Sequence, residues 1–266
     1  MPRMTSYRHG VPSWTDVSSP DIETTAAFYC DLFGWDVSPD QGAEFGGYRI
    51  FSKGDAPVAG IGPVQGGPPA WTTYINVTEA DTVAARITAA GGTMAVPPMD
   101  LPGGNGRIGF GIDPTGGFFG IFQAGEHHFG AAVVNELGAP VWHELNVREP
   151  DKATPFYEKV FGWTIAPMDA GSPMAYQLIS VDGRAVAGLL PMGEQFPEHV
   201  PTNWVVYYVV EDAQQTADRC AATGGAVVMP PFDTPMGPMA VLSDPTGAVF
   251  AVGAMTQIDD PNNWPS

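Results

Sequence analysis

The sequence predicts an α+β protein of four βαβββ modules, each with one strand, one helix and three further strands. The first observation is a gapless repeat: residues 14–35 read WTDVSSPDIETTAAFYCDLFGW and residues 142–163 read WHELNVREPDKATPFYEKVFGW. The second is that a strand followed by a helix restarts inside each half, near residues 71 and 204. Because internal repeats define an architecture, we expect two levels of duplication.

The elements of the first module follow from local patterns. Alternation over residues 14–19 predicts a strand, and Ser19-Pro20 predicts a helix start with proline at the first helical position. Apolar residues then recur at helical spacing until Gly34 ends the helix. Short runs around residues 48–51 and 58–61 predict strands.

The remaining modules repeat this order. The second has a predicted strand 71–77, a helix 80–90 closed by Gly91-Gly92, and strands near 93–96, 106–112 and 118–122. The third has a strand 141–147, a helix 150–161 and strands near 175–180 and 185–190. The fourth has a strand 204–210, a helix 212–222 and strands near 226–229, 238–242 and 248–253.

The modules group into two domains. Domain 1 covers residues 8–125 (modules 8–65 and 69–125), and domain 2 covers residues 138–255 (modules 138–195 and 202–255). Residues 126–137 form the linker, and residues 256–266 form a polar tail. Each module has one helix, which covers one sheet face, so we expect the uncovered faces to pair and to enclose one cleft per domain.

The charge composition argues against some classes of binding partner. The chain has 29 acidic and 11 basic residues, a net charge of −18, which disfavours nucleic acid and anionic membranes as partners. Its start lacks the apolar core of a signal peptide, and no apolar run reaches membrane-spanning length. The two cysteines, Cys30 and Cys220, lie in predicted helices of different domains. We therefore expect no disulfide framework, a cytoplasmic location and either a monomer or a homodimer.

The repeated motifs resemble those of the glyoxalase / bleomycin-resistance / extradiol-dioxygenase superfamily, also called vicinal oxygen chelate proteins. The resemblance is carried by Phe28-Tyr29 with Phe33-Gly34-Trp35, by the Gly-Gly pair after the second helix, and by Asp-Pro-Thr-Gly before the last strand. It covers roughly residues 10–125 and 138–255 and is closest in kind to tandem glyoxalase-like proteins of actinobacteria. It implies a divalent metal held by His and Glu side chains of the first and last strands.

This chain has other residues at the positions where the resemblance places metal ligands. Those positions carry Trp14, Thr72 and Gly120 in domain 1 and Trp142, Val205 and Ala251 in domain 2. Neither an indole nor a glycine can hold a metal. We therefore expect that the family-type site is lost and that no metal or other cofactor is bound.

Two carboxylates are the candidate catalytic groups. Strand alternation turns Asp16 and Glu144 toward the clefts, where desolvation would raise the pKa of each into the acid/base range. The alternative is that they only bond neighbouring Tyr, Trp or backbone donors. The same alternation predicts these substrate-binding residues: Trp14, Ser18, Tyr74, Asn76, Trp142, Asn146 and Tyr207.

Other aromatic and imidazole side chains have structural interpretations. His143 and Glu144 are adjacent on a strand, so they point to opposite faces and cannot readily share one ion. His127-His128 in the linker is expected on the surface. Four tryptophans are expected to pack outside the clefts: Trp35, Trp71, Trp163 and Trp204.

Three functions stay open on the sequence. The first is a metal-independent enzyme that acts on a small aromatic or hydrophobic molecule, such as a tailoring enzyme of secondary metabolism, with Asp16 or Glu144 as acid/base. The second is a protein that sequesters such a compound without catalysis. The third is a metal-dependent glyoxalase or dioxygenase whose ligands lie elsewhere.

Overall fold

A computed structural model of the chain describes residues 3–40, 42–168 and 175–255. Four α-helices are present in this part: α1 (Ile22–Phe33), α2 (Ala80–Ala89), α3 (Pro150–Phe161) and α4 (Ala213–Ala222). The strands of the first half are β1 (Pro12–Ser19), β2 (Asp36–Val37), β3 (Arg49–Lys53), β4 (Ala56–Pro63), β5 (Ala70–Asn76), β6 (Thr93–Asp100), β7 (Gly106–Ile112) and β8 (Phe118–Ala124). Those of the second half are β9 (Pro140–Val147), β10 (Thr164–Pro167), β11 (Gln177–Val181), β12 (Arg184–Pro191), β13 (Asn203–Val209), β14 (Ala226–Phe232), β15 (Met239–Ser243) and β16 (Val249–Gly253). The α+β class and the four βαβββ modules are confirmed.

Each half forms a single eight-stranded sheet. The orders are β2-β3-β4-β1-β5-β8-β7-β6 and β10-β11-β12-β9-β13-β16-β15-β14, so the duplication extends to the strand order. The two modules of a half meet through one antiparallel pair, β1 with β5 and β9 with β13. The two modules of a half therefore join edge to edge in one continuous sheet, and their uncovered faces do not pack against each other as predicted.

The helices pack between the two sheets, and each apolar core contains residues of both halves. One apolar core joins the first and fourth modules and includes Tyr29, Phe51 and Phe250. A second core joins the second and third modules and includes Ile121 and Tyr157. Because each core takes residues from both halves, burial of apolar surface links the two halves into one unit. The opposite face of each sheet carries Asp16 or Glu144, and we call these the N-terminal face and the C-terminal face.

The aspartate of each Asp-Pro-Thr-Gly turn accepts hydrogen bonds both from its own turn and from a tyrosine of a distant helix. Asp113 Oδ1 accepts from the backbone and hydroxyl of Thr115, and Asp113 Oδ2 accepts from the Tyr157 hydroxyl at 2.8 Å. Asp244 Oδ2 accepts likewise from the Tyr29 hydroxyl at 3.1 Å. Each turn therefore closes a strand connection and bonds a helix of the other half.

Several element boundaries differ from the sequence-based prediction. The first helix begins at Ile22, because Asp21 caps it by accepting from the Thr24 amide, and Pro20 lies before the cap. The short strands β2 and β10 were not predicted because two to four residues are too few for an alternation signal. The edge strands β6 and β14 run past the predicted ends through pairs of prolines, which an edge strand tolerates. The predicted tail, residues 256–266, lies outside the described residues.

The described helices are all too short or too polar to cross a membrane. Cys30 and Cys220 are both free thiols, on α1 and α4, as expected.

Candidate functional site

The central strands bring the predicted carboxylates onto the uncovered faces. In the first sheet, Trp14 stands opposite Tyr74 and Asp16 stands opposite Thr72. In the second sheet, Tyr207 stands opposite Trp142 and Val205 opposite Glu144. Paired residues on adjacent strands share a face, so each face collects one tryptophan, one tyrosine and one carboxylate at its centre.

Asp16 lies at the centre of a hydrogen-bonded cluster on the N-terminal face. The Tyr48 hydroxyl donates to Asp16 Oδ2 at 3.0 Å, and the Tyr74 hydroxyl donates to the same oxygen at 2.8 Å. The Trp14 indole N–H in turn donates to the Tyr48 hydroxyl at 2.8 Å. Only 9% of Asp16 is exposed. The two phenols share Oδ2, so Oδ1 is the oxygen that they do not use.

Burial sets the protonation of this cluster. It raises the pKa of Asp16 to about 6, although the hydrogen bonds from Tyr74 and Tyr48 act in the opposite direction. Burial, reinforced by the nearby Asp16 charge, also raises the pKa of both tyrosines well above the ordinary value, so they stay neutral donors. A carboxylate that titrates near pH 6 can accept a proton near neutral pH and return it.

The C-terminal face repeats the cluster with one longer side chain. The Tyr207 hydroxyl donates to Glu144 Oε1 at 2.9 Å, and Tyr176 also hydrogen-bonds this carboxylate. The Trp142 indole N–H donates to the Tyr176 hydroxyl at 2.8 Å. Burial raises the pKa of Glu144 against the effect of these hydrogen bonds, and only 6% of the residue is exposed.

Tyr48 and Tyr176 were not predicted as site residues. The predicted strands near 48–51 and 175–180 include them, but alternation was used to assign faces only on the first strand of each module; in the structure each lies just before a strand. The signal that could have found them is the repeat, because they are spaced like Trp14 and Trp142. A glycine faces each ring, and a Cβ at Gly60 would collide with the Tyr48 hydroxyl.

Three of the other predicted binding residues have protein partners. The Ser18 hydroxyl bonds the backbone of Ala70 at 3.2–3.3 Å. The Asn76 amide donates to the carbonyls of Tyr7 and Arg8 at 2.8 and 3.1 Å, and thereby holds the N-terminal segment. The Asn146 amide donates to Asn203 at 3.4 Å. Their roles toward a ligand stay predictions.

The residues at the family-type ligand positions do not fit a divalent metal. Thr72 and Val205 pair with the carboxylates, while Gly120 and Ala251 pair with Tyr74 and Tyr207. Within residues 3–40, 42–168 and 175–255, no three His, Cys, Asp or Glu side chains group closely enough to hold an ion. A catalytic metal usually needs about three protein ligands, and each face offers one tyrosine-bonded carboxylate instead.

His143 lies on the opposite side of its strand from Glu144, between the two sheets. Its Nδ1 is 2.9 Å from the Thr73 hydroxyl, and burial lowers the pKa of His143 to about 3, so the imidazole is neutral. Two cavities of about 30 and 20 Å³ border it, large enough for a water molecule and too small for an organic substrate. His143 is therefore a packing residue.

The prediction that the linker histidines lie on the surface is wrong for His128 and correct for the exposed His127. The His128 ring packs edge-on against Trp14, with ring centroids 4.6 Å apart, and lies 5.1 Å from the Phe122 ring. Burial lowers the pKa of His128 to about 4. The linker therefore covers part of the N-terminal face.

The four remaining predicted tryptophans pack outside both faces, as expected. The Trp71 and Trp204 indoles donate to the Tyr29 and Tyr157 hydroxyls at 2.7 and 3.1 Å. The indoles of Trp35 and Trp163 donate to backbone carbonyls, those of Gly138 and Gly10.

Known proteins resemble the chain in sequence and in fold. The family model "Glyoxalase/Bleomycin resistance protein/Dioxygenase superfamily" matches residues 12–119 and 127–252. "Putative glyoxylase CFP32" of Mycobacterium bovis is 39% identical over 260 residues, 95% of this chain and 97% of that protein. "Anthracycline biosynthesis protein DauV" of Streptomyces sp. strain C5 is 35% identical over 268 residues, 94% of each chain.

Two solved structures share the fold at low sequence identity. The Mn(II)-bound glyoxalase of Novosphingobium aromaticivorans superposes with a TM-score of 0.65 at 16% identity, over 94% of this chain and 84% of its own. The 2,3-dioxygenase LapB of Pseudomonas sp. KL28 superposes with a TM-score of 0.63 at 16% identity, over 97% of both chains.

Proposed function

We propose that this chain, which belongs to the Glyoxalase/Bleomycin resistance protein/Dioxygenase superfamily, is an enzyme that moves a proton on a small organic molecule without a metal. The observation that carries the proposal is a buried carboxylate bonded by two neutral tyrosines on each uncovered face, with its pKa raised. The names of two relatives, a glyoxylase and an anthracycline biosynthesis protein, favour a substrate among small oxygen-bearing metabolites.

The proposed step uses the carboxylate as a base and then as an acid. Above pH 6 the ionised Asp16 takes a proton from an activated C–H or O–H of the ligand, while the electron pair moves onto the ligand's carbonyl oxygen. The protonated Asp16 then returns the proton to the ligand at another atom. Tyr48 and Tyr74 hold the carboxylate in place, and Trp14 positions Tyr48 through its N–H.

A binding protein without catalysis is the second candidate. This candidate is favoured because the polar groups of the faces already have hydrogen-bond partners within the protein. Two tyrosines bond each carboxylate, and Ser18 and Asn76 bond backbone atoms. Such a face would recognise a ligand mainly by shape and apolar contact.

The two candidates differ in proton exchange. We would incubate the protein with 2-tetralone in D₂O and follow loss of the C1 hydrogens by NMR, since the ring and the carbonyl both activate them. Wild type should exchange them faster than buffer, and one of the two isosteric variants, Asp16→Asn or Glu144→Gln, should lower the rate by about 100-fold, which identifies the active face. The control Asp151→Asn changes an exposed helix residue and should leave the rate unchanged.

Wild-type exchange no faster than buffer would contradict the enzyme proposal and support binding alone. Two full-rate isosteric variants would contradict the role of the carboxylates. Dialysis against EDTA tests the metal-independent part of the proposal. The rate should survive chelation, and a rate lost to EDTA and restored by Mn²⁺ would overturn it.

A further inference from the structure

The residues beside the carboxylate clusters differ between the two faces: at equivalent strand positions, the N-terminal face has more aromatic side chains. Phe110 pairs with Gly120 in the first sheet, and Val241 pairs with Ala251 in the second. Phe118 begins β8 as Val249 begins β16, and Phe122 corresponds to Gly253. Three phenylalanines of the N-terminal face thus stand where the C-terminal face has two valines and a glycine.

Two of these phenylalanines and Tyr74 form a path of ring-to-ring contacts from the surface to Asp16. The Phe118 ring stacks on Phe110 with a centroid distance of 5.4 Å and an interplanar angle of 12°. Phe110 packs edge-on against Tyr74 at 5.7 Å, and Tyr74 donates to Asp16. Phe118 is 43% exposed, so part of an aromatic ring surface faces water at the outer end of the path.

The linker closes a different part of the same face. His128 packs on Trp14 and Phe122, on the side of the cluster away from Phe118. Its imidazole packs edge-on against the Trp14 indole, at an interplanar angle of 87°, so one ring already lies against the aromatic groups of this face. The exposed Phe118 end is the part that this contact does not cover.

We propose that the N-terminal face binds a planar aromatic compound, whose ring packs along Phe118 and Phe110 and whose hydroxyl or carbonyl oxygen meets the Tyr74–Asp16 pair. The inference rests on the proposed function only for the role of Asp16. Ring stacking adds affinity beyond the burial of apolar area, and the C-terminal face offers Val241 and Val249 instead. A flat ring therefore prefers the N-terminal face.

Binding of 2-naphthol, measured by calorimetry, tests this preference. Decahydro-2-naphthol keeps the hydroxyl and the carbon count and loses the flat rings, so wild type should bind it at least tenfold more weakly. Phe118→Val, which installs the residue of the C-terminal face, should weaken 2-naphthol binding by about tenfold. The matched control Val249→Ala should change it less than twofold, and Phe110→Val is a second variant if the first folds poorly.

Equal binding of 2-naphthol and decahydro-2-naphthol would overturn the inference. So would a loss in Val249→Ala as large as in Phe118→Val, because the ligand would then lie on the C-terminal face. Tenfold weaker binding in Phe118→Val, with no deuterium exchange in wild type, would support the aromatic site and contradict acid/base catalysis. Exchange that Asp16→Asn abolishes, with wild-type binding in Phe118→Val, would contradict this inference alone.

Discussion

The N-terminal and C-terminal faces share their hydrogen bonds and differ in what surrounds them. On both, an indole donates to a tyrosine, and two tyrosines bond a buried carboxylate. Trp14 is only 4% exposed beneath the linker, whereas Trp142 is half-buried. The duplication thus repeats the carboxylate cluster and varies the residues around it, so the two faces present different surfaces.

On the helix side of the sheets, one hydrogen-bonded chain is the same in both halves. Trp71, Tyr29 and Asp244 form one indole–phenol–carboxylate chain between the sheets. Trp204, Tyr157 and Asp113 form its counterpart. Both chains join a helix of one half to a turn of the other, so packing between the halves keeps them alike while the uncovered faces are less constrained.

The largest effect that we expect concerns the pH dependence of stability. Burial raises the pKa of Asp16 from 3.8 to about 6, so its contribution to stability is full below pH 3.8 and is lost as pH rises through 6. That loss amounts to about 3 kcal/mol. Asp16→Asn has no carboxylate to titrate and should not show this loss. In urea titrations, the free energy of unfolding of the variant minus that of wild type should therefore increase by about the same amount between pH 4 and pH 7.

Glu144→Gln provides the comparison between the faces. Burial raises the pKa of Glu144 too, so this variant should shift the pH dependence in the same direction. If Asp16→Asn and wild type show parallel stability curves from pH 4 to pH 7, the burial of the Asp16 charge is contradicted.

The next effect tests the symmetry of the helix side. Tyr29→Phe removes a donor from Asp244 and an acceptor from the Trp71 indole, all buried, and should cost about 2 kcal/mol of unfolding free energy. Tyr157→Phe removes the same two bonds in the other core and should cost about the same. Urea unfolding at pH 7 measures both. Costs that differ by more than about 1 kcal/mol would show that the two chains are not equivalent.

The sequence predicted the module order from the internal repeat, and it predicted the face of each carboxylate from the alternation along its strand. Residues 14–19 alternate clearly, and the copy at 142–147 confirmed their faces. Tyr48 and Tyr176 were missed because no face was assigned to the short predicted strands near 48–51 and 175–180 that contain them. The proline-containing ends of β6 and β14 were not predicted because proline is disfavoured in most strands. Only the sheet order shows that these two strands lie at sheet edges, where proline is tolerated.

The position of the linker could not be predicted from local patterns either. Residues 126–137 have no periodicity, so nothing in them indicated that His128 packs against Trp14. That contact depends on where the linker crosses the sheet: the Ala131 amide donates to the Ser13 carbonyl at 2.8 Å. Contacts between segments far apart in sequence require the folded geometry.

The smallest effect that we expect separates His128 from its neighbour. His128→Ala removes the edge-on contact with Trp14 and the contact with Phe122, and should cost about 1 kcal/mol of unfolding free energy at pH 7.5, where the imidazole is neutral. His127→Ala is the matched control, since His127 is exposed, and should change stability by less than about 0.5 kcal/mol. Acrylamide quenching of tryptophan fluorescence should also rise in His128→Ala, because Trp14 loses its cover. Equal stability and equal quenching in the two variants would mean that the linker does not protect the N-terminal face, and its phenylalanines would then be the main difference in what surrounds the two clusters.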